Sequence, residues 1–559
     1  MREIDRLTTE RYATPSLLLM EAAANQSARA IASHFSHETS GLRVLILCGR
    51  GNNGGDGAAL ARALSITDSF VDLILFGRVE DCQGDARTNF DIVRQLATAT
   101  PEVETTRQRL SFVECLSEAA WCEIQTTWKS YDVIVDALFG TGLRRPLEGV
   151  YRQVVEYIER IRETRAESSA PRPLIVSLDL PSGLDADSAE LIGSAVQADL
   201  TVTFTAPKVA NVLPPAAFLN GELLIADINS PSLLLDAADS HLFLTEADDA
   251  RAWLEQTRYQ PGSYKNSHGH ALIVAGSRRM SGAAVLCGNA AMRAGAGLVT
   301  VATPVSALPA VAARVMPEVM TAGLSETAQD EEQAGRATDT PVLTGDASEQ
   351  VRQLTTRADA VAIGPGLTSG EHIRRFVRSV VERRACPVVI DADGLNALAP
   401  WPADLGGTPE LPLILTPHPG EMRRLIGATS EQDSLAERIC VAREFAVAHQ
   451  LILVLKGART LVAAPDGRIA INPTGNAGVG TAGAGDTLTG IITSFIAQAY
   501  GALNSKADAF AATVAAVYVA GMAADLAAQS QGMRAMVASD ISLHFSAAIL
   551  LLDPVGEKP

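Results

Sequence analysis

The chain has 559 residues and a formal charge of −18, from 46 Lys plus Arg against 64 Asp plus Glu. That length exceeds one ordinary domain, and that acidity excludes nucleic acid or an anionic membrane as the main partner. The seven cysteines form no C-x-x-C pair and the nine histidines no H-E-x-x-H, so neither a disulfide framework nor a zinc site is expected, and the expected setting is a reducing cytoplasm.

The opening "MREIDRLTTERYATPSLLLMEAAA" carries acids near its start and no cleavable apolar core, so no secretion signal is expected. Apolar runs stay below the ~18 residues that a membrane span needs, so no membrane is expected either. A helical pattern, "SLLLMEAAANQSARAIAS", leads to strands at 43–48, 71–76, 131–137, 174–179, 200–205 and 222–227. Most are near-continuous apolar runs, as in parallel strands covered on both faces. Helical segments alternate with them, which predicts a doubly wound α/β domain. The pattern breaks at 229–265, with a boundary near 230–240. A second α/β series follows: "HALIVAG", "GLVTVAT", "DAVAIG", "PVVIDAD", "LILTP" and "LILVLKG". Next, "TLVAAPDGRIAIN" reads as a hairpin around Asp-Gly. Alanine-rich helices close the chain, and the acidic stretch 324–350 is expected to be a surface loop.

The first strand runs into "GRGNNGGDG", which satisfies the G-x-G-x-x-G pattern at residues 49–54. A nicotinamide dehydrogenase also wants an acid at the end of its second strand, some 20 residues on. Here Gly77 and Arg78 stand there instead. Asn52, Asn53 and Asp56 exceed what a turn needs and point to ligands. Asp136, Asp179 and Ser182 fall at later strand ends, where open parallel sheets form their crevice. Oxygen donors such as Asn53, Asp136 and Ser182 suit a hard cation; helix capping is the alternative for Asp136 and Asp179.

The segments "GRGNNGGDG", "DALFGTG", "DLPSGLDAD" and "TFTAPK" resemble the epimerase domain of bifunctional NAD(P)H-hydrate repair enzymes, over residues 1–228. The resemblance implies a Rossmann-like α/β/α fold. It implies that Asn52, Asn53, Gly54, Gly55 and Asp56 hold the hydrated dinucleotide, with Gly140, Thr141, Gly142, Leu143, Arg144, Arg145, Pro146 and Asp179. It places a potassium ion on Asn53, Asp136 and Ser182. Asp179 is the candidate acid or base for epimerisation at C6.

Near the end, "NPTGNAGVGTAGAGDTLTG" sets glycines before an aspartate that opens an apolar helix. Helix-start N–H groups make an anion site, and Asp486 beside them is placed to take a hydroxyl proton. The G-A-G-D pattern resembles the ribokinase-like superfamily. Together with "GSRRMSG", "AIGPGL", "IDADGLN", "TPHPGEM" and "LKGART", it resembles the ADP/ATP-dependent NAD(P)H-hydrate dehydratase domain, over 240–556. That resemblance implies Lys456, Gly457, Ala458, Arg459, Thr460 and Gly485 around the nucleotide. It implies Ala283, Gly366, His418 and Asp486 around the hydrate, with Asp486 as catalytic base. ADP or ATP is then a co-substrate, with magnesium as its companion, and a homo-oligomer is expected. Two other readings stay open on the residues alone: a ribokinase-type vitamin kinase, and a first half that only binds a cofactor.

Overall fold

The computed structural model describes all residues except 99–108, 127–129, 167–171, 239, 328–341, 429–437, 504–505 and 554–559. It divides into two compact units, Met1–Asp239 and Ser240–Pro559.

The first unit is built on seven strands: β1 (Arg43–Cys48), β2 (Phe70–Leu75), β3 (Leu110–Glu114), β4 (Val133–Ala137), β5 (Leu174–Leu178), β6 (Leu200–Phe204) and β7 (Glu222–Ala226). Their order is β3-β2-β1-β4-β5-β6-β7, and every pairing is parallel. The order reverses between β1 and β4, which opens a crevice at their carboxyl ends. β4 is buried along its whole length, as a central strand with helices on both faces must be. One face packs Phe90, Leu60 and Ile31 from the helices Gly84–Thr98, Asn52–Ile66 and Ser16–His34. The other packs Trp121, Val154 and Ile158. β3 is an edge strand absent from the expected set.

The second unit holds β8 (Leu242–Leu244), β9 (His270–Val274), β10 (Leu298–Pro304), β11 (Met320–Leu324), β12 (Glu326–Thr327), β13 (Val342–Leu343), β14 (Ala360–Ile363), β15 (Val388–Ile390), β16 (Leu413–Leu415), β17 (Ile452–Leu455), β18 (Leu461–Ala463) and β19 (Ile469–Ile471). The main sheet runs β11-β10-β9-β14-β15-β16-β17-β18-β19-β8. It is parallel from β11 to β17, then turns antiparallel through the β18–β19 hairpin. Gly467, at φ 91°, makes the hairpin turn that Asp-Gly predicts. The stretch 324–350 is not one loop. Its middle lies outside the described residues, while its ends form β12, β13 and the start of the helix Gly345–Thr355.

The helix Ala509–Gln531 is long and apolar enough to cross a membrane, but 61% of its apolar window is buried inside the unit. It packs with the helices Ala484–Leu503 and Ala538–Leu552, so its composition is that of a core helix. All seven cysteines are free, five of them buried.

Candidate active sites

Glycines shape the first site by what they let approach. A Cβ on Gly54 would fall 1.8 Å from Gly49 O, and one on Gly49 would fall 2.0 Å from Leu138 O. The turn after β1 therefore closes against the turn after β4 only without side chains there. On Gly55 a Cβ would meet Ala86 and Met20. Gly54 and Gly55, expected among the ligands, face packing rather than the cavity. Asn52, Asn53 and Asp56 of the same turn do line it, with Gly140, Thr141, Gly142 and Asp179, in a cavity of about 580 Å³. The helix Asn52–Ile66 starts at Gly51, which has no side chain to cap it. Its first N–H groups are left for an anion.

The rest of the expected loop is turned elsewhere. Arg144 pairs with Asp185 at 3.0 Å and Asp187 at 2.5 Å. Leu143 packs into the core, and Pro146 lies against Gly193. Arg145 is exposed and does not line the cavity.

Asp136, the last residue but one of β4, is fully buried. It accepts from Ser182 N at 2.8 Å, Ser182 Oγ at 2.5 Å, Ser177 Oγ at 2.9 Å and Leu138 N at 3.3 Å. Burial pushes its carboxyl up, against these hydrogen bonds. Ser182 Oγ in turn accepts from Phe139 N at 3.0 Å. Asn53 is buried, and neither its amide nitrogen nor its amide oxygen has a hydrogen-bond partner. Such an orphan is costly unless a ligand completes it. A Cβ on Gly140 would meet Asp179 Oδ2 at 2.9 Å and Asn53 Cγ at 3.5 Å, so the 138–140 turn gathers Asn53, Asp136, Ser182 and Asp179. A buried carboxylate, a hydroxyl and an unsatisfied amide oxygen fit a monovalent hard cation. Among the described residues no group of three or more His, Cys, Asp or Glu is arranged to hold a metal.

Asp179 has a left-handed backbone, φ 65°. Its carboxylate forms a buried ion pair with Lys208. Lys208 also donates to Thr203 Oγ1 at 2.9 Å and Phe204 O at 3.0 Å. Lys208 stands in "TFTAPK" but has no role in the sequence reading. Only its register with β5 and β6 reveals the pair. Burial, then Asp179 and Asp5, hold the Asp56 carboxyl well above the usual range.

In the second unit the helix Ala484–Leu503 carries Gly485 and Asp486 at its start. Burial, then the charge of Asp391, push the Asp486 carboxyl up to about 6. Asp391 follows β15 and is buried; it accepts from Lys456 Nζ at 2.8 Å and Thr489 Oγ1 at 2.7 Å. Burial alone would lower the Lys456 ammonium, but Asp391 and Glu421 raise it. Glu421 lies 3.9 Å from Lys456 Nζ and accepts from His418 N at 2.8 Å. His418 Nδ1 accepts from Gly420 N at 2.9 Å, capping the helix Pro419–Leu425. A polar chain thus links His418, Glu421, Lys456, Asp391 and the Asp486 helix. A Cβ on Gly485 would come 3.4 Å from Lys456 Nζ. The turn Gly457–Thr460 is held by Arg438, which donates to Ala458 O at 3.0 Å, and by Thr460 Oγ1, which donates to Gly457 O at 3.2 Å. Arg459 turns to Pro473 O. Gly366, at φ 66°, abuts Ala283. Asp391 and Glu421 escaped the sequence reading, although Asp391 obeys the strand-end rule that singled out Asp136. A separate cavity of about 480 Å³, with Arg352, Arg375, Arg383 and Arg384, lies at the amino ends of β14 and β15 and belongs to neither site.

Two family models match the chain. One, described as NAD(P)H-hydrate dehydratase, matches 271–546, and one described as YjeF-related protein N-terminus matches 16–210. The chain is 38% identical to the bifunctional NAD(P)H-hydrate repair enzyme of Moorella thermoacetica over 97% of this chain and 94% of that one. It is 32% identical to the Escherichia coli enzyme of that name, over 89% and 83%. Among solved structures it resembles the Bacillus subtilis ADP/ATP-dependent NAD(P)H-hydrate dehydratase crystallised with ATP and magnesium: 31% identity, 56% of this chain, 99% of that one, TM-score 0.46. The chain belongs to the family of bifunctional NAD(P)H-hydrate repair enzymes.

Proposed function

We propose that the two units repair hydrated NADH and NADPH in succession. The first interconverts the R and S hydrates at C6, and the second dehydrates the S hydrate at the expense of ADP or ATP. The Asp486 carboxyl carries the second assignment. It stands at a glycine-lined helix start beside Lys456, and its pKa of about 6 suits a base near neutrality.

Phosphoryl transfer needs positioning and charge neutralisation more than covalent chemistry. The helix start at Gly485 and the Lys456 ammonium receive the phosphates. Magnesium, bound with the nucleotide, supplies further neutralisation. Asp486 takes the proton of the ring hydroxyl as that oxygen accepts the terminal phosphoryl group. The C6–O bond then breaks, phosphate leaves with its electron pair, and loss of a C5 proton restores the dihydronicotinamide. His418, Gly366 and Ala283 bound the hydrate.

In the first unit the uncapped start of the helix Asn52–Ile66 receives the dinucleotide's phosphates, and Asn52, Gly140 and Thr141 border the ring. Asn53, Asp136 and Ser182 would hold a potassium ion, which would supply a fixed positive charge to the site. Asp179, oriented by Lys208, faces the reacting carbon.

Incubation of the chain with hydrated NADH and ADP or ATP tests the whole reading through the absorbance of the restored dihydronicotinamide. Full conversion of both epimers, with one inorganic phosphate released per NADH, is expected. A stable phosphorylated product would show a vitamin-type kinase instead, and fast conversion of one epimer followed only by the slow rate of spontaneous epimerisation would leave the first unit a binding module.

A further inference from the structure

Arg2, Arg50 and Lys208 are the side-chain cations that line the first cavity. Lys208 is spent on its buried pair with Asp179. Arg2 Nη2 donates to Thr141 O at 3.2 Å, on the loop after β4. Arg50 lies on the β2 side instead. Its stem crosses Gly77, the second residue after β2: a Cβ on Gly77 would fall 2.5 Å from Arg50 Cδ and 2.7 Å from Arg50 Cγ. Gly77 sits at φ 144°, where a side chain would be strained as well as crowded. Among the described residues the only carboxylate within 4.0 Å of the Arg50 guanidinium is that of Asp81, at that limit, and both side chains are about half exposed. Asp85, which lines the cavity from the helix after β2, accepts from Ser16 Oγ.

The topology gives a dinucleotide one orientation in that cavity. The strand order β3-β2-β1-β4-β5-β6 is that of a sheet with two mononucleotide-binding halves. In such a sheet the pyrophosphate lies on the helix start after β1, and the two nucleosides lie over opposite halves. Asp179 and Lys208 follow β5 and β6, so the hydrated ring belongs over that half and the adenosine over the end of β2. There the fold ordinarily sets an acid that accepts from the ribose 2′-hydroxyl, or an arginine that accommodates a 2′-phosphate. Gly77 offers no acid, and Arg50 lies across it. Hydrated NADPH differs from hydrated NADH only by that 2′-phosphate.

We propose that Arg50 holds the 2′-phosphate of hydrated NADPH and so sets the first unit's preference for it over hydrated NADH. This rests on the epimerase reading above. The guanidinium presents paired N–H donors to phosphate oxygens. The helix start at Asn52 takes the pyrophosphate, which both hydrates share. The 2′-phosphate is remote from C6, so its contact is equal in the ground and transition states and acts on KM rather than kcat.

The test uses the full chain without ADP or ATP, so that only epimerisation proceeds, and follows the interconversion of chromatographically separated R and S hydrates at initial rates. Arg50→Met is expected to raise KM for hydrated NADPH by ~10-fold, the worth of a charge-assisted hydrogen bond. Its kcat, and its KM for hydrated NADH, should stay within about twofold. On the unaltered chain, adenosine 2′,5′-bisphosphate should compete with the hydrates at least about fivefold more tightly than its 3′,5′ isomer of equal charge, and Arg50→Met should erase that difference. A KM for hydrated NADPH that rises less than about fivefold more than the KM for hydrated NADH overturns the proposal. An equal loss for both hydrates overturns it too, since that places Arg50 on the pyrophosphate, as does a loss confined to kcat. Should Arg50→Met fail to fold, the two bisphosphates decide on the unaltered chain: preference for the 2′,5′ isomer upholds the site, and equal inhibition overturns it. An unaltered chain that speeds the interconversion of neither hydrate refutes the epimerase reading itself.

Discussion

Asp391 and Lys456, 65 residues apart in sequence, meet at 2.8 Å beneath the start of the Asp486 helix. Neither side chain is more than one-fifth exposed. A buried pair of this kind is a weak source of net stability, but removal of one partner strands the other charge. Lys456→Met should therefore destabilise the second unit by about 3–5 kcal/mol and weaken ADP binding. The double variant Asp391→Asn/Lys456→Met should recover much of the stability and none of the binding. Urea unfolding and calorimetric titration with ADP separate the two effects. A double variant as unstable as the sum of both single changes would show that the pair does not act as a unit.

The Asp486 carboxyl, raised to about 6 by burial and Asp391, makes two pH predictions of opposite benefit. As a base it works only when ionised, so dehydration should fall as pH drops through about 6, and Asp486→Asn should remove that limb along with ~10²–10⁴ of the rate. For folding, a raised carboxyl favours the native state below the unfolded carboxylate value and loses that contribution as pH rises through about 6. Asp486→Asn should thus stabilise the unliganded chain above pH 7, by on the order of 2–3 kcal/mol, and do little at pH 4. Thermal unfolding at the two pH values checks it. Equal stabilisation at both would place the effect outside ionisation.

Gly366 stands at φ 66°, and a Cβ there would lie 2.9 Å from both Ala283 Cβ and Met280 O. Gly366→Ala must either shift the start of the helix Ser281–Arg293 or distort the turn after β14. Dehydration should fall at least tenfold while epimerisation by the first unit persists. Retention of wild-type KM and kcat for the hydrate would show that the turn has room the geometry denies.

The central strands were legible because burial on both faces leaves an unbroken apolar run, as in "VLILC" and "VIVDA". The strands that escaped are edges or fragments. β3 reads Leu-Ser-Phe-Val-Glu, with alternate residues in solvent. β11 reads Met-Thr-Ala-Gly-Leu, and β8 has three residues. Strand-end position exposed Asp136, and a glycine-rich helix start exposed Asp486, since the chemistry of the residue and its place in the topology coincide there. Lys208 and Glu421 were not legible, because each meets its partner only through an element distant in sequence, whereas Asp391 stands at a strand end as Asp136 does. Motif resemblance carries whole loops: of Gly54, Gly55, Leu143, Arg144, Arg145 and Pro146, the first two also serve close backbone packing and Arg144 is held by Asp185 and Asp187.

Each unit carries its own core. The first packs Phe90 and Trp121 on opposite faces of its sheet, and the second packs Phe495 between Trp253 and Phe545. A unit with its own core folds by itself. Residues 1–239 alone should therefore fold and bind hydrated NADPH, and residues 240–559 alone should carry out the nucleotide-dependent step. Given both epimers, the second fragment should consume one quickly, then continue at the slow rate of spontaneous epimerisation. The first fragment added in trans should restore full, fast conversion, because the shared intermediate is a small diffusible molecule and needs no channel. Fast and complete conversion by residues 240–559 alone would remove the need for an epimerase, and failure of the mixture to recover the intact chain's rate at saturating substrate would show that the units act on each other through more than their common substrate.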